Sequence, residues 1–147
     1  MKIRQATVED LDVVTALFEA YREFYRRAPD SQAAREFLGS RLQEKDSVIF
    51  LAMDGPKAIG FAQLYPSFSS LWMRRIWVLN DLFVSPEARG RAVGREIVLE
   101  CQKFAKGTGA KGLTLKTATD NLKAQKLYES LGWLRETDFC SYDLNLD

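Results

Sequence analysis

The hydrophobic period of the chain changes several times, and each change marks a different kind of element. Leu11, Val14, Phe18, Tyr21 and Tyr25 recur at helical spacing, with Leu17 and Phe24 widening the stripe. Thr7 followed by Asp10 supplies an N-cap signal for this first helix, and a short strand over residues 2–6 precedes it. Pro29, Asp30 and Ser31 break the pattern and open a second, weaker helix carrying Phe37, Leu38 and Leu42. Two helices with a polar break between them are expected to form a lid over a site rather than a central core element. From Ser47 the period shortens to that of strands. Segments 47–53 and 58–65 flank the turn Asp54-Gly55-Pro56 and read as a hairpin. PSFSS is then expected to link into a long strand over residues 71–84, rich in β-branched and aromatic positions.

A third helix follows, with Val93, Ile97, Val98, Cys101, Phe104 and Ala105 marking one face, ending near Gly107 and Gly109. Residues 112–118 make a strand placed for a parallel crossover. Asp120 is the expected cap of a fourth helix, whose Ala124, Leu127, Tyr128 and Leu131 share a face and whose stop signal is Gly132. WLRE and FCSYDLNL read as two closing strands. The expected order is βααβββαβαββ: a mixed α/β fold in one domain over residues 1–147, antiparallel at first and parallel across the third helix.

Composition narrows the chemistry. The chain has 147 residues and a net charge of +1, so an overall electrostatic pull toward nucleic acid or a membrane is not expected and any anion site must be local. No apolar run approaches the roughly 20 residues of a membrane span. Histidine is absent, which removes His-based catalysis and the zinc signatures that need it, and no metal is expected. The two cysteines, Cys101 and Cys140, are read as thiols of a reducing, cytoplasmic compartment, Cys101 as part of the third helix's apolar stripe.

The stretch VLNDLFVSPEARGRAVGREIV, residues 78–98, holds the most chemistry. A strand passing through a glycine-containing turn into a helix leaves N–H groups unpaired at the positive end of the helix dipole, and Arg89, Arg91 and Arg95 add full charges suited to phosphate oxygens. The P-loop and dinucleotide patterns do not match. ARGRAVG behind DLFVSPE instead resembles the acyl-CoA loop of the GNAT superfamily of N-acetyltransferases, [QR]xxGx[GA], with Arg89 first and Gly94 last. Ala92 replaces the middle glycine. At a positive φ alanine would cost roughly 1–2 kcal/mol, so Ala92 is expected in the first helical turn, where it costs nothing. NLKAQKLYESLGW, residues 121–133, resembles the family's later segment NxxAxxLYxxxGF, with Trp133 for Phe.

The resemblance implies the GNAT acyl-CoA N-acyltransferase fold, a central mixed sheet of about seven strands with four helices, and acetyl-CoA as co-substrate. It assigns the cofactor to the main chain of Leu82, Phe83 and Val84, to Arg89, Gly90, Arg91, Ala92, Val93, Gly94 and Arg95, and to Asn121, Lys123, Ala124 and Tyr128. Tyr128 falls at the position of the family's acid for the departing thiolate, with core packing as the competing explanation, and helix capping competes for Asn121. Asn80-Asp81 occupies the point where polyamine-acetylating members carry paired acids. Asp81 matches and Asn80 does not, so amine binding is expected while polyamine specificity is left open.

Proton accounting ranks these groups. An amine of pKa about 10.4 is about one part in a thousand neutral near pH 7.4, a deficit on the order of 4 kcal/mol, against about 1.5 for the thiol. Asp81 is therefore the expected catalytic partner of the amine, as base, through water or as cation holder, with a solvated or capped Asp at a bulge as the competing explanation. Tyr25, Tyr21, Tyr65, Phe68, Trp72 and Trp77 are enough aromatics to line the acceptor site, although most of them are expected to be core or homodimer contacts. The expected reaction is direct transfer to a primary amine of a small molecule in a ternary complex. The alternatives are an acyl-CoA-binding sensor or interaction module and a protein or peptide lysine acetyltransferase.

Overall fold

Thr7 and Asp10 cap each other as the sequence suggests. The Asp10 carboxylate accepts the Thr7 N–H at 2.8 Å, and Arg4 reaches the same carboxylate with two bonds of 2.8 Å. The Arg4 guanidinium holds the Asp10 carboxyl down at about 2. That contact ties the first strand, β1 (Lys2–Gln5), to the 3-10 turn that starts helix α1 (Leu11–Phe24). The computed structural model describes residues 1–147 and continues with α2 (Ser31–Glu44), β2 (Val48–Asp54), β3 (Lys57–Ser69) and β4 (Arg74–Val84). A 3-10 turn (Pro86–Ala88), α3 (Val93–Gly107), β5 (Leu113–Thr114) and α4 (Leu122–Ser130) complete the order. The chain divides into two compact units, residues 1–116 and 117–147.

The first unit is a five-stranded sheet in the order β1-β2-β3-β4-β5, antiparallel through β4 and parallel at β4–β5, where α3 makes the crossover. Its register assigns the faces, because paired residues share a face and neighbours along a strand do not. Leu51, Phe61 and Phe83 lie on one face with Val14 and Leu17 of α1 and Leu38 of α2. Phe50 lies on the other face, where it and Trp77 meet Phe104 of α3 at ring distances of 5.5 and 5.1 Å. Val14 and Leu38 are fully buried, so α1 and α2 are core elements and not a lid. Each buries an apolar stripe that would otherwise cost about 1.5–3 kcal/mol per large side chain to expose.

Other expectations are corrected as well. PSFSS is not a link: β3 runs through it, with Pro66 opposite Trp77. β2 pairs only as far as Leu64, so at Pro66 the strand has a neighbour on one side, the setting in which a sheet tolerates proline. β5 is two residues long rather than seven, and its pairing with β4 ends at Val78, just before a bulge. The two closing strands do not form, and the sheet has five strands rather than about seven. The alternation in residues 134–146 is present, but a strand without a ladder partner has no stability of its own.

Candidate active site

Asp81 owes its position to a one-residue irregularity. Gln63 pairs with Asp81 but Leu64 pairs with Leu79, so Asn80 is an extra residue on β4. Leu79 and Asp81 therefore point to opposite faces. Without the bulge Asp81 would follow Leu79 toward α3; with it, the carboxyl joins Gln63, Phe61 and Phe83 on the α1/α2 face. There it is 6% exposed and accepts a bond of 3.0 Å from Gln63 Nε2. Asn80 Nδ2 approaches its two oxygens at 3.2 and 3.3 Å. Gln63 is wholly buried, and its Oε1 accepts from Ser47 Oγ at 3.0 Å. A buried carboxyl with fixed amide donors is held in one orientation, and a buried amide stripped of partners would cost about 1–3 kcal/mol. Tyr65, two residues along β3 on the same face, is pushed up to about 12 by burial and by the charge of Asp81, which keeps its phenol protonated near neutrality.

Sequence reading missed Gln63 and Ser47. The signal available was a lone amide inside AIGFAQLY, since a polar side chain amid buried neighbours requires a partner.

Downstream of Asp81 the strand runs into the segment of residues 85–95 that leads into α3, the candidate anion cradle. β5 pairs only with Trp77 and Val78, so Leu82, Phe83 and Val84 have a strand partner on the β3 side alone. Gly90 (φ +81°) and Ala92 (φ +59°) both adopt left-handed backbone, so Ala92 is the N-cap of α3 and not a residue of its first turn. The expectation that alanine costs nothing there is overturned; the strain is about 1–2 kcal/mol. Alanine offers no capping oxygen, and the first main-chain bond of α3 is Glu96 N–H to the Ala92 carbonyl. The N–H groups of Val93 and Gly94 therefore project from the helix end with the dipole behind them.

The arginines are anchored separately. Arg89 Nε donates to the Val84 carbonyl at 3.1 Å, and its guanidinium lies 5.3 Å from the Phe24 ring centre and 5.8 Å from that of Phe83. Arg91 pairs with Asp54 at 3.0 Å and lowers its pKa, while Lys57 pairs with Glu87 at 3.1 Å. Both partners, Asp54 and Lys57, flank the tight β2–β3 turn, which braces the cradle from outside. Gly60 on β3 is a further unanticipated element. A Cβ there would stand 2.9 Å from the Phe83 carbonyl and 3.1 Å from Ile97 Cδ1, so glycine lets the start of α3 approach the sheet.

The aromatic candidates divide. Tyr21 packs on Phe61 and Phe83 and meets Tyr25 edge-on at 5.1 Å, and Tyr25 at the end of α1 is about half exposed. Trp77 lies on the opposite face, and Phe68 and Trp72 lie near the β3–β4 turn, so these three do not join the Asp81 face. Cys101 is buried, which pushes its thiol up to about 12, and no thiolate is available there for a covalent route.

In the second unit, Asn121 rather than Asp120 caps α4, its Oδ1 accepting the Ala124 N–H at 3.2 Å. Lys123 and Ala124 follow in the first turn. Tyr128 is buried, with the Trp133 ring centre at 5.7 Å, and Gly132 at φ +94° ends the helix as expected.

Leu82, Phe83 and Val84, with a strand partner on one side alone, thus lead from the buried Asp81 carboxyl to a helix end whose first main-chain N–H groups project outward. The acetyltransferase (GNAT) family profile matches residues 14–133. The chain is 47% identical over 146 residues to the uncharacterized N-acetyltransferase YhfO of Bacillus subtilis, covering 99% of this chain and 98% of that protein. A crystal structure of a probable acetyltransferase superposes with a TM-score of 0.94 at 42% identity, over 100% of this chain and 99% of that one. Thialysine N-epsilon-acetyltransferase of Bos taurus is 35% identical over 78 residues, 53% of this chain and 45% of that protein. The chain belongs to the GNAT family of acetyltransferases and is an acetyl-transfer enzyme.

Proposed function

We propose that this enzyme transfers the acetyl group of acetyl-CoA directly to a primary amine of a small molecule, polyamine-like or amino-acid-like. The observation that carries the reading is the bulge-directed Asp81, buried and held by Gln63 on the strand that ends at the cradle. Acetyl-CoA supplies the activated acetyl thioester. Projecting N–H groups of Val93 and Gly94, left-handed Gly90 and Ala92, and the one-sided strand Leu82–Val84 fit its phosphates and its amide-bearing arm. Arg89, Arg91 and Arg95 supply charge to the same end, Arg91 exchanging Asp54 for phosphate.

Asp81 attracts the ammonium form of the acceptor and takes up or relays its proton, the larger of the two proton problems. Asn80, exposed beside it, offers an amide to the incoming amine, and Tyr25 bounds the acceptor side. Asn121, Lys123, Ala124 and Tyr128 keep the cofactor roles that the family motif assigns, Tyr128 as the acid for the thiolate. The bovine relative, named for a small amine, supports this substrate class. Two free thiols support a cytoplasmic setting, and no helix is long and apolar enough to cross a membrane.

Release of free CoA across a panel of polyamines, amino acids and lysine peptides tests the reading. Turnover on small amines, lost in Asp81→Asn, is the expected result. Calorimetric binding of acetyl-CoA without turnover on any amine would overturn it in favour of a sensor. Tyr128→Phe should lower turnover at least tenfold with the binding heat nearly intact; unchanged turnover reduces Tyr128 to packing.

A further inference from the structure

The Asp81 face of the sheet leads outward to an ion pair that the acetyl transfer itself does not use. Ser47 Oγ donates to Gln63 Oε1 and Gln63 Nε2 donates to Asp81 Oδ2, each at 3.0 Å, which places Ser47 Oγ within about 8 Å of the Asp81 carboxylate. Asp46 directly precedes Ser47, in the short segment between α2 and β2. Left-handed backbone at Lys45 (φ +55°) ends α2 and turns the chain back, and Asp46 Oδ1 accepts from Arg41 Nε at 2.7 Å. The Arg41 guanidinium also lies over the Phe37 ring, 5.0 Å from its centre, which restrains it.

Tyr65 connects the ion pair to the buried carboxyl. It stands two residues beyond Gln63 on β3, on the same face of the sheet. Besides burial, the charges of Asp81, Arg41 and Asp46 all act on its phenol, Arg41 in the opposite sense to the two acids. Carboxyl and ion pair therefore surround one aromatic side chain.

The ion pair keeps unused valence of both signs. Arg41 bonds Asp46 through Nε, which leaves its two terminal nitrogens, and Asp46 bonds through Oδ1, which leaves Oδ2. Their side chains are 24% and 48% exposed, so a solute can reach both. A carboxylate matches the guanidinium fork, and an ammonium matches the second aspartate oxygen. The head of an α-amino acid carries these two groups side by side. A plain diamine or polyamine would satisfy Asp46 only by bringing a cation against Arg41, a repulsive element of the kind that sets specificity.

We propose that the acceptor is an α-amino acid with an amine at the far end of its side chain, lysine-like in length, whose head sits on Arg41 and Asp46 and whose terminal amine is presented to Asp81. A four-carbon stem lying along Tyr65 supplies the reach past Gln63 and Ser47. The inference rests on Asp81 as the partner of the reacting amine and narrows its substrate class. In the transfer the terminal ammonium gives one proton to Asp81, and the freed lone pair forms the N–C bond to the acetyl carbon. The C–S bond breaks with its electron pair on sulfur, and the second N–H proton ends on the thiol. Arg41 and Asp46 touch neither the reacting nitrogen nor the acetyl group; they determine specificity.

Steady-state release of CoA with four acceptors tests this in the unmodified enzyme: lysine, lysinamide without the carboxylate, Nα-acetyl-lysine without the α-ammonium, and 1,5-diaminopentane without the head. Lysine should exceed 1,5-diaminopentane at least about tenfold in kcat/KM, with lysinamide and Nα-acetyl-lysine between them and the acetyl group on Nε by mass spectrometry. Arg41→Gln should raise the KM for lysine and bring lysine and 1,5-diaminopentane within about twofold of each other, while the KM for acetyl-CoA stays where it was. A wild-type enzyme that uses 1,5-diaminopentane as well as lysine, or that acetylates lysine on Nα, overturns the inference and leaves acetyl transfer to a small amine standing. So does an Arg41→Gln enzyme that keeps the full preference for lysine. An enzyme inactive on every amine overturns both.

Discussion

The Asp81 node and the cradle lie a few residues apart on one strand and are built in opposite ways. The node is made of side chains: Gln63, Ser47 and Asn80 donate or relay hydrogen bonds in a buried setting, and one extra residue in β4 selects the face. The cradle is made of main chain, with left-handed Gly90 and Ala92 aiming N–H groups outward and exposed arginines tethered by Val84 and Asp54. Side-chain chemistry in a low-dielectric site is sensitive to a single atom; main-chain chemistry is sensitive to backbone shape and to what lies beneath it. The two regions should therefore respond to different kinds of substitution.

The largest effect is expected at the node. Asp81→Asn keeps the shape and removes the proton acceptor, so kcat should fall at least about a hundredfold, about 2.7 kcal/mol, while the heat of acetyl-CoA binding is unchanged. Loss of that heat as well would mean that node and cradle are one structural unit. Next comes Gly60→Ala, which touches no ligand: its Cβ would press on the Phe83 carbonyl and Ile97, costing about 1–3 kcal/mol. A lower Tm together with weaker acetyl-CoA binding is expected, and unchanged affinity would show that α3 need not sit so close.

Ala92→Gly acts in the other direction. Relief of the left-handed strain, partly offset by glycine's extra freedom when unfolded, should raise stability by about 0.5–1 kcal/mol in urea titrations. A loss of stability would refute the strain. The smallest response is expected from Asp54→Ala, which frees an exposed Arg91: Tm should scarcely move, and any change in acetyl-CoA affinity should shrink as salt is raised.

How much of this was legible depends on which force sets each element. The helices and the antiparallel strands follow from burial, which writes itself into the sequence as a period, and the crossover to β5 follows from chain length. The ends of β3 and β5 were misplaced because the number of neighbours decides them: Pro66 is harmless only since β2 stops at Leu64, and β5 stops where the β4 bulge begins. Gln63 was hidden because its partner is distant in sequence. The conformation of Ala92 contradicts its own local preference, because the turn that enters α3 requires left-handed backbone there. The alternation of residues 134–146 is legible and their lack of pairing is not, since alternation specifies a face and not a partner.

The placement of the three tryptophans gives each part of the molecule its own optical reporter. Trp77 is sealed against Phe104 inside the main sheet, Trp133 rests on Tyr128 in the second unit, and Trp72 stands half in solvent under Lys111. Variants that retain one indole apiece would thus fluoresce at different wavelengths and melt on separate curves. Following them side by side reveals whether the last thirty or so residues come apart before the sheet does.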